Sequence, residues 1–475
     1  NGLDSPPPPF PRHSRPRYVA RITNPFALRG FYGLLALTTP MLKRLERYFE
    51  FTHLGTNWRT EILAGVTTFL TMAYIVLVNP AILAAAGIPL PAVTAATCLS
   101  AAFASILMGV VARYPIALAP GMGLNAYFTY TVCLKMHIPW QTALGAVFLS
   151  GVIFLLITAA GIRQMILRSI PHELYAAVAS GIGLFIAFIG FRNAGLIVND
   201  PATLVSMGNL RNPTTALALF GLILMVALEI KKVRGSILIG VLVTTAIAWA
   251  LGDVHWTPTG SGIHAIAATV FQLDIRGALS KGLLEIIFVF FFVDLFDNLG
   301  TLVAVTKRAG LISADHSIPR LNRILFADAI ATVFGSVLGT STVTSYVEST
   351  AGVAAGGRSG VTAIITGTLF LLAVVASPYV GIVPSAATAP ALILVGSMML
   401  ATITEIRWTE PIIAVPAFLT LILIPLTYSI ANGLGFGIIA WAVLHLVTGN
   451  YRRQDWLLYT IAVLFLARFV YLGAS

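Results

Sequence analysis

Apolar residues in this chain come in long runs, separated by short stretches carrying Gly, Pro, Lys and Arg. A helix needs ~20 consecutive apolar residues to cross the hydrocarbon core of a bilayer. On that criterion the pattern predicts crossings at residues 62–86, 91–112, 118–133, 140–160, 172–191, 213–230, 235–251, 283–306, 322–339, 345–356, 359–377, 384–404, 411–430 and 433–448, fourteen in all. The third and the tenth are short and follow small or helix-breaking residues. A further run, Trp456 to Leu472, is modest in length and carries Arg468 near its far end, so an interfacial helix is expected there.

Charge placement supports that count. With the amino terminus inside, cytoplasmic loops own Arg113, Arg163, Arg168, Lys231, Lys232, Arg234, Lys307, Arg308, Arg320, Arg323, Arg358, Arg407, Arg452 and Arg453. Outer loops own Lys135, Arg192, Arg211, Arg276 and Lys281. Fourteen cations against five obey the positive-inside rule and leave both termini cytoplasmic. Residues 252–282, with Trp256, Pro258 and Gly260, form the longest outer connection and divide the runs seven and seven. Because seven is odd, the second half inserts upside down relative to the first, which is the arithmetic of an inverted-repeat transporter. The expected organisation is a Pro/Arg-rich tail over 1–40, an amphipathic segment over 41–60 and a first repeat over 61–251. An outer connection over 252–282, a second repeat over 283–448 and a terminal interfacial helix over 449–475 complete it.

Composition narrows the class. Of 475 residues, 57% are hydrophobic and 10% charged, and the mean hydropathy is +0.89. Soluble domains carry about 25% charged residues, so this is a polytopic membrane protein. The net charge of +11 is scattered singly through loops, with no basic stripe or basic-aromatic platform, which argues against nucleic acid as a partner. Cys98 and Cys133 lie in apolar runs and are expected to be buried thiols, not a disulfide. The first 40 residues hold eight prolines and five arginines and no methionine; Met41 is the first. That segment is expected to be disordered and dispensable, and a native start downstream of it is left open.

Two carboxylates interrupt the run Phe290-Phe291-Phe292-Val293-Asp294-Leu295-Phe296-Asp297-Asn298. An acid in hydrocarbon costs roughly 2.5–3.5 kcal/mol on insertion scales, so it persists where it faces protein, water or a ligand. Spacing i, i+3 puts both acids on one helix face. A structural ion pair is the plainer account, but most Lys and Arg fall in loops. A buried acid able to take a proton on one side of the membrane and release it on the other fits better.

Two further segments carry polar chemistry at membrane depth. In Ala119-Pro120-Gly121-Met122-Gly123-Leu124-Asn125, proline and glycines keep the backbone non-helical, tolerated only beside a cavity or other protein. Asn125 adds donors and acceptors suited to a polar ring edge. In Gly339-Thr340-Ser341-Thr342-Val343-Thr344-Ser345-Tyr346-Val347-Glu348, β-branched and hydroxyl residues favour an extended stretch leading into a helix, with Glu348 in its first turn. Broken helices at matching positions of two repeats point to a midplane substrate site.

Other polar residues suggest less. Asp328 is expected to form an ion pair with Arg320 or Arg323. Glu61, Glu173, Glu229 and Glu285 fall at span ends and are expected to face headgroups or water. His445 is expected to be a helix-packing histidine, and the eight histidines form no metal constellation. No phosphate-binding loop or nucleophile elbow is present, which leaves an ATP-driven pump or a membrane hydrolase without local support.

The stretches Gly55 to Glu61, Thr67 to Tyr74, Ala119 to Phe128, Asp294 to Thr301 and Thr342 to Gly352 resemble the AzgA-like purine permeases, related to the nucleobase–ascorbate and uracil/xanthine permeases. The resemblance implies an all-α fold of fourteen spans in two inverted repeats, core and gate domains, and a short strand and half-helix in spans three and ten. It implies that Asn125, Asp294 and Glu348, with Gly123 and Ser345 of the same motifs, contact a purine base, and that Asp297 serves proton coupling. Where the uracil and xanthine branches carry a Glu followed by Gly-His, this chain reads Asp297-Asn298-Leu299-Gly300-Thr301, which favours the AzgA-like branch.

The expectation is a proton-coupled importer of hypoxanthine, guanine or adenine in the plasma membrane, not an enzyme. It needs no cofactor beyond the coupling proton and no metal, with lipid around it and homodimer formation left open. Two rivals are an anion exchanger of the same architecture and an intramembrane aspartyl protease. Glu348 at a half-helix start opposes the first. Two acids on one helix, not opposed on two, oppose the second.

Overall fold

Lipid offers no hydrogen bonds, so a chain this apolar must satisfy its backbone internally, and helices do so within each segment. The computed structural model describes residues 41–160, 171–252, 262–279, 283–312, 318–450 and 455–471; the expected tail over 1–40 lies outside them. A short helix covers 41–48.

The body begins with α1 (Trp58–Met72), capped by Asn57, whose side chain accepts from the Thr60 N–H. α2 (Ile75–Ala84) and α3 (Leu90–Leu107) follow. Strand β1 (Leu118–Pro120) leads into α4 (Met122–Ala126), which continues as a π-helix over Tyr127–Lys135. Next come α5 (Trp140–Ala159), α6 (His172–Asn193), the hairpin β2 (Ile197–Asp200) and β3 (Leu204–Met207), α7 (Pro213–Ile230) and α8 (Ser236–Ala250). The second half opens with α9 (Leu284–Ala309) and α10 (Leu321–Leu338). Strand β4 (Val343–Ser345) precedes α11 (Ser349–Ala354), then α12 (Gly360–Ala373), α13 (Ser385–Met399), α14 (Pro411–Thr427), α15 (Ile430–Val447) and α16 (Trp456–Tyr471). Among the described residues, ten helices are long and apolar enough to cross a membrane, and three shorter apolar helices accompany them.

The two strands join the halves. β1 and β4 pair antiparallel, with Leu118 opposite Ser345 and Pro120 opposite Val343. Proline is tolerated because the neighbouring Gly121 N–H reaches the Thr342 carbonyl (2.9 Å), and Tyr346 N–H reaches Ala117 O (3.0 Å). Each outer edge is closed by a hydroxyl from the preceding helix. Ser105 of α3 donates to Leu118 O (3.0 Å) and accepts from its N–H (2.9 Å). Thr332 of α10 donates to Val343 O (3.0 Å) and accepts from its N–H (3.2 Å). The outward N–H and carbonyl groups of Leu118 and Val343 are thereby satisfied away from water. Gly339 ends α10 at φ +102°, a left-handed turn that favours glycine, with Thr269 packed where a side chain would go.

Glu61 departs from the sequence expectation. Fully buried, it faces neither headgroups nor water. Its carboxylate accepts from the N–H groups of Arg358 (2.9 Å) and Thr362 (3.2 Å), from the Thr362 hydroxyl (2.5 Å) and from Thr56 (2.7 Å). The unpaired N–H groups at the start of α12 make a ready anion site, and Glu61 of α1 fills it. Glu173 and Glu285 are likewise engaged, with Arg407 and Arg468 respectively, each pair at 2.6 Å. Arg468 also reaches Asn432 of α15 (3.0 Å), so α16 is tied both to α15 and to the start of α9. Asp328 is fully buried, and both cysteines are buried free thiols. His445 bonds to Trp441 O (2.9 Å) and stacks on its ring, the expected packing role.

Candidate functional site

Both broken segments reach one large cavity of about 1510 Å³. Gly121, Met122 and Gly123 line it from the first half, Thr344, Ser345, Tyr346 and Glu348 from the second, and Tyr74 and Asp297 from α1–α2 and α9. Extended strands place successive side chains on opposite sides. The chain then turns into short helices whose first residues face the cavity.

Glu348 sits just before α11, half-buried, and its Oε1 accepts from the Tyr74 hydroxyl at 2.7 Å. Tyr74 is fully buried, so its ring fixes where the carboxylate points. Tyr346 donates its hydroxyl to the Pro120 carbonyl, fastening the second broken segment to the first. The hydroxyls of Thr344 and Ser345 are buried and have no hydrogen-bond partner among the described residues. Buried polar atoms are normally paired, so these are available to a ligand. Gly123 is required by proximity, since a Cβ there would collide with Ile182 of α6.

The predicted residues divide into two groups. Asp297, Glu348, Gly123 and Ser345 line the cavity together. Asn125 and Asp294 are buried outside the lining, at 0% and 1% exposure. The Asn125 amide donates to Asn79 Oδ1 and its oxygen accepts from Ser341, so it bridges α2 to the stretch before β4. Asp294 Oδ2 lies 3.4 Å from the Thr332 hydroxyl that also closes the edge of β4. Asp297 and Asp294 thus have separate surroundings: the first meets the cavity and the second the strand support. Tyr74, Asn79 and Thr332 were missed by sequence reasoning. Tyr74 closes the Thr67–Tyr74 motif, and its aromatic hydroxyl beside membrane-depth glycines and acids was the available signal.

The rim has different chemistry. Lys232, Arg234, Lys307 and Arg308 line the same cavity, along with Glu229, His172 and Glu405. Ser236 donates to Glu229 (2.5 Å), and His172 lies 3.6 Å from Glu405. Among the described residues, no group of three or more His, Cys, Asp and Glu is arranged to hold a metal.

A largely apolar cavity carrying a few acids and hydroxyls where two broken segments meet, inside a bundle of apolar helices, defines a membrane transporter. Solved structures share the architecture: the transmembrane domain of a cyanobacterium bicarbonate transporter, BicA, superposes with a TM-score of 0.57 at 16% identity, over 86% of this chain and 97% of that one. The model of the Permease family matches residues 59–415, three quarters of the sequence and all the elements around the cavity, and the chain belongs to that family. It is 51% identical to a permease of Methanocaldococcus jannaschii, over 91% of this chain and all of the relative. It is 45% identical to the guanine/hypoxanthine permease PbuG of Bacillus subtilis, over 90% and 100%. With the adenine permease AdeP of Escherichia coli it shares 43% identity, over 90% and 97%. The protein is a multi-pass membrane permease and not an enzyme.

Proposed function

We propose that this permease imports purine nucleobases across the plasma membrane by symport with protons. The observation that carries the substrate class is the full-length similarity to relatives named as adenine and guanine/hypoxanthine permeases. The cavity chemistry agrees with it. A purine base is a neutral, flat heterocycle with N–H donors and ring-nitrogen acceptors. Glu348 and Asp297 accept N–H groups, and the Thr344 and Ser345 hydroxyls donate to ring nitrogens or a carbonyl.

In this reading the base contacts Glu348, Asp297, Gly123 and Ser345, and Asp297 also carries the coupling proton. Asn125 and Asp294, expected from the sequence to touch the base, hold the two broken segments in place from behind. One proton moving through ~150 mV supplies about 3.5 kcal/mol, enough to concentrate a neutral base a few hundred-fold.

The chain crosses the membrane fourteen times as two inverted repeats of seven, both termini cytoplasmic, and transport moves a core domain against a gate domain. The matched use of Ser105 at β1 and Thr332 at β4 supports the repeat. With Lys232, Arg234, Lys307 and Arg308 on the cytoplasmic side, the cavity opens inward. An anion exchanger is disfavoured because acids, not cations, lie beside the broken helices. Uptake of labelled hypoxanthine, guanine and adenine into vesicles with an imposed proton gradient, run against labelled sulfate, tests the reading. Uptake of sulfate and of no purine would overturn it.

A further inference from the structure

The cavity is larger than a base requires. Pockets for small ligands run roughly 300–1,000 Å³, whereas this one measures about 1510 Å³. It is also bipolar. Its interior holds Asp297 and Glu348, and its rim holds Lys232, Arg234, Lys307 and Arg308. The rim cations are exposed, and among the described residues none has an ion-pair partner. The nearby acids Glu229 and Glu405 are engaged by Ser236 and His172.

A single stripe of α9 connects the two ends. Asp297, Gly300, Thr301, Ala304, Lys307 and Arg308 all line the cavity, at the three- and four-residue steps of one helix face. At 1.5 Å per residue, Lys307 lies ~15 Å along the axis from Asp297. Orientation in the bilayer accounts for cations at these helix ends and turns. It does not account for Lys307 and Arg308 sharing a helix face with Asp297, or for all four cations lining one cavity with the base site.

From this geometry we propose that the cavity also binds purine nucleoside polyphosphates as non-transported blockers. The proposal rests on the purine reading above. The base occupies the site beside Glu348 and Asp297, the ribose lies along Gly300 and Ala304, and the phosphate chain meets the four cations. Anchored there, the ligand holds the cavity open to the side from which it entered. Uptake would then fall as product nucleotides accumulate, by occupancy of the transport site itself.

The test uses the purified full chain and displacement of labelled hypoxanthine by guanosine triphosphate, guanosine and inorganic triphosphate, at low and high salt. The expected result is that guanosine triphosphate displaces hypoxanthine more strongly than guanosine does, and that salt removes this advantage. Lys307→Gln with Arg308→Gln should weaken guanosine triphosphate about tenfold or more while hypoxanthine binding stays within about twofold. Lys232→Gln with Arg234→Gln, on another wall, should act in the same direction and guards against one pair simply misfolding. Equal potency of guanosine triphosphate and guanosine, or no effect of either double variant, overturns the proposal while leaving base transport standing. Displacement by inorganic triphosphate as strong as by the nucleotide also overturns it, because the rim would then act without the base. Failure of hypoxanthine, guanine and adenine all to bind would overturn the purine reading and this proposal with it.

Discussion

The Tyr74 hydroxyl donates to Glu348 Oε1 at 2.7 Å, joining residues from opposite halves of the chain across the wall of the cavity. Tyr74 lies between α1 and α2, where the first crossing bends, while Glu348 begins the short helix α11. The bond fixes the direction of a carboxylate that lines the cavity. A carboxylate already oriented in this way loses less freedom when a base arrives.

Tyr74→Phe keeps the ring and removes the donor. A hydrogen bond to a charged group is worth ~1.5–3 kcal/mol, and part of that goes into orienting Glu348, so base affinity should fall about 3- to 10-fold. Equilibrium binding to the purified protein measures it. Unchanged affinity would show that Glu348 is placed by the backbone alone.

Glu348→Gln preserves size and removes the charge to which the proposed function assigns the base N–H groups. Affinity should drop about 10- to 100-fold with membrane abundance nearly constant. Normal binding in detergent would place the base elsewhere.

Asp297 and Asp294 should separate cleanly. Asp297→Asn resembles a permanently protonated acid facing the cavity, so uptake should lose its response to an imposed proton gradient and the pH dependence of binding should flatten. Asp294→Asn alters a group packed by Thr332, so its main effect should be on thermal stability, with coupling retained in the protein that folds. Vesicle uptake across a series of gradients, paired with melting curves, checks both. Gradient-driven accumulation by Asp297→Asn would remove it as the coupling residue.

Glu61→Ala leaves the first N–H groups of α12 and the Thr362 hydroxyl without their acceptor. Buried donors stranded in this way cost ~1–3 kcal/mol each, so the variant should melt well below the parent, and Glu61→Gln should recover part of the loss. Thermal unfolding in detergent decides it; a melting point equal to the parent's would mean that water replaces the carboxylate at little cost.

Local signals in the sequence located the broken segments. Pro120 and Gly121 forbid helix, and the run Thr340 to Thr344 favours extended chain, so a non-helical interruption was legible at both places. Their mutual pairing was not, because Leu118 and Ser345 are more than two hundred residues apart and nothing local specifies the partner. Glu61 looked like an ordinary span-end acid for the same reason: its donors lie at Arg358 to Thr362. The i, i+3 spacing of Asp294 and Asp297 fixed a common helix face but not which neighbour each would meet. Two residues three apart differ by about 60° around the axis, enough for one to reach the cavity and the other the packed support of β4. Asn125 was legible as a membrane-depth amide, whereas its use by Asn79 and Ser341 depends on elements from both halves.

The pairing of β1 with β4 also sets an order of events during synthesis. Leu118 leaves the ribosome more than two hundred residues before Ser345, a wait of roughly 10–45 s at 5–20 residues per second. Throughout that interval the strand's inner edge has no partner, although Ser105 can already close the outer one. The nascent first half must therefore be sheltered, by the insertion machinery or by lipid-shielded neighbours, until the second half arrives. Synonymous changes that slow translation between Met122 and Thr342 would then lower yield while leaving every finished molecule identical.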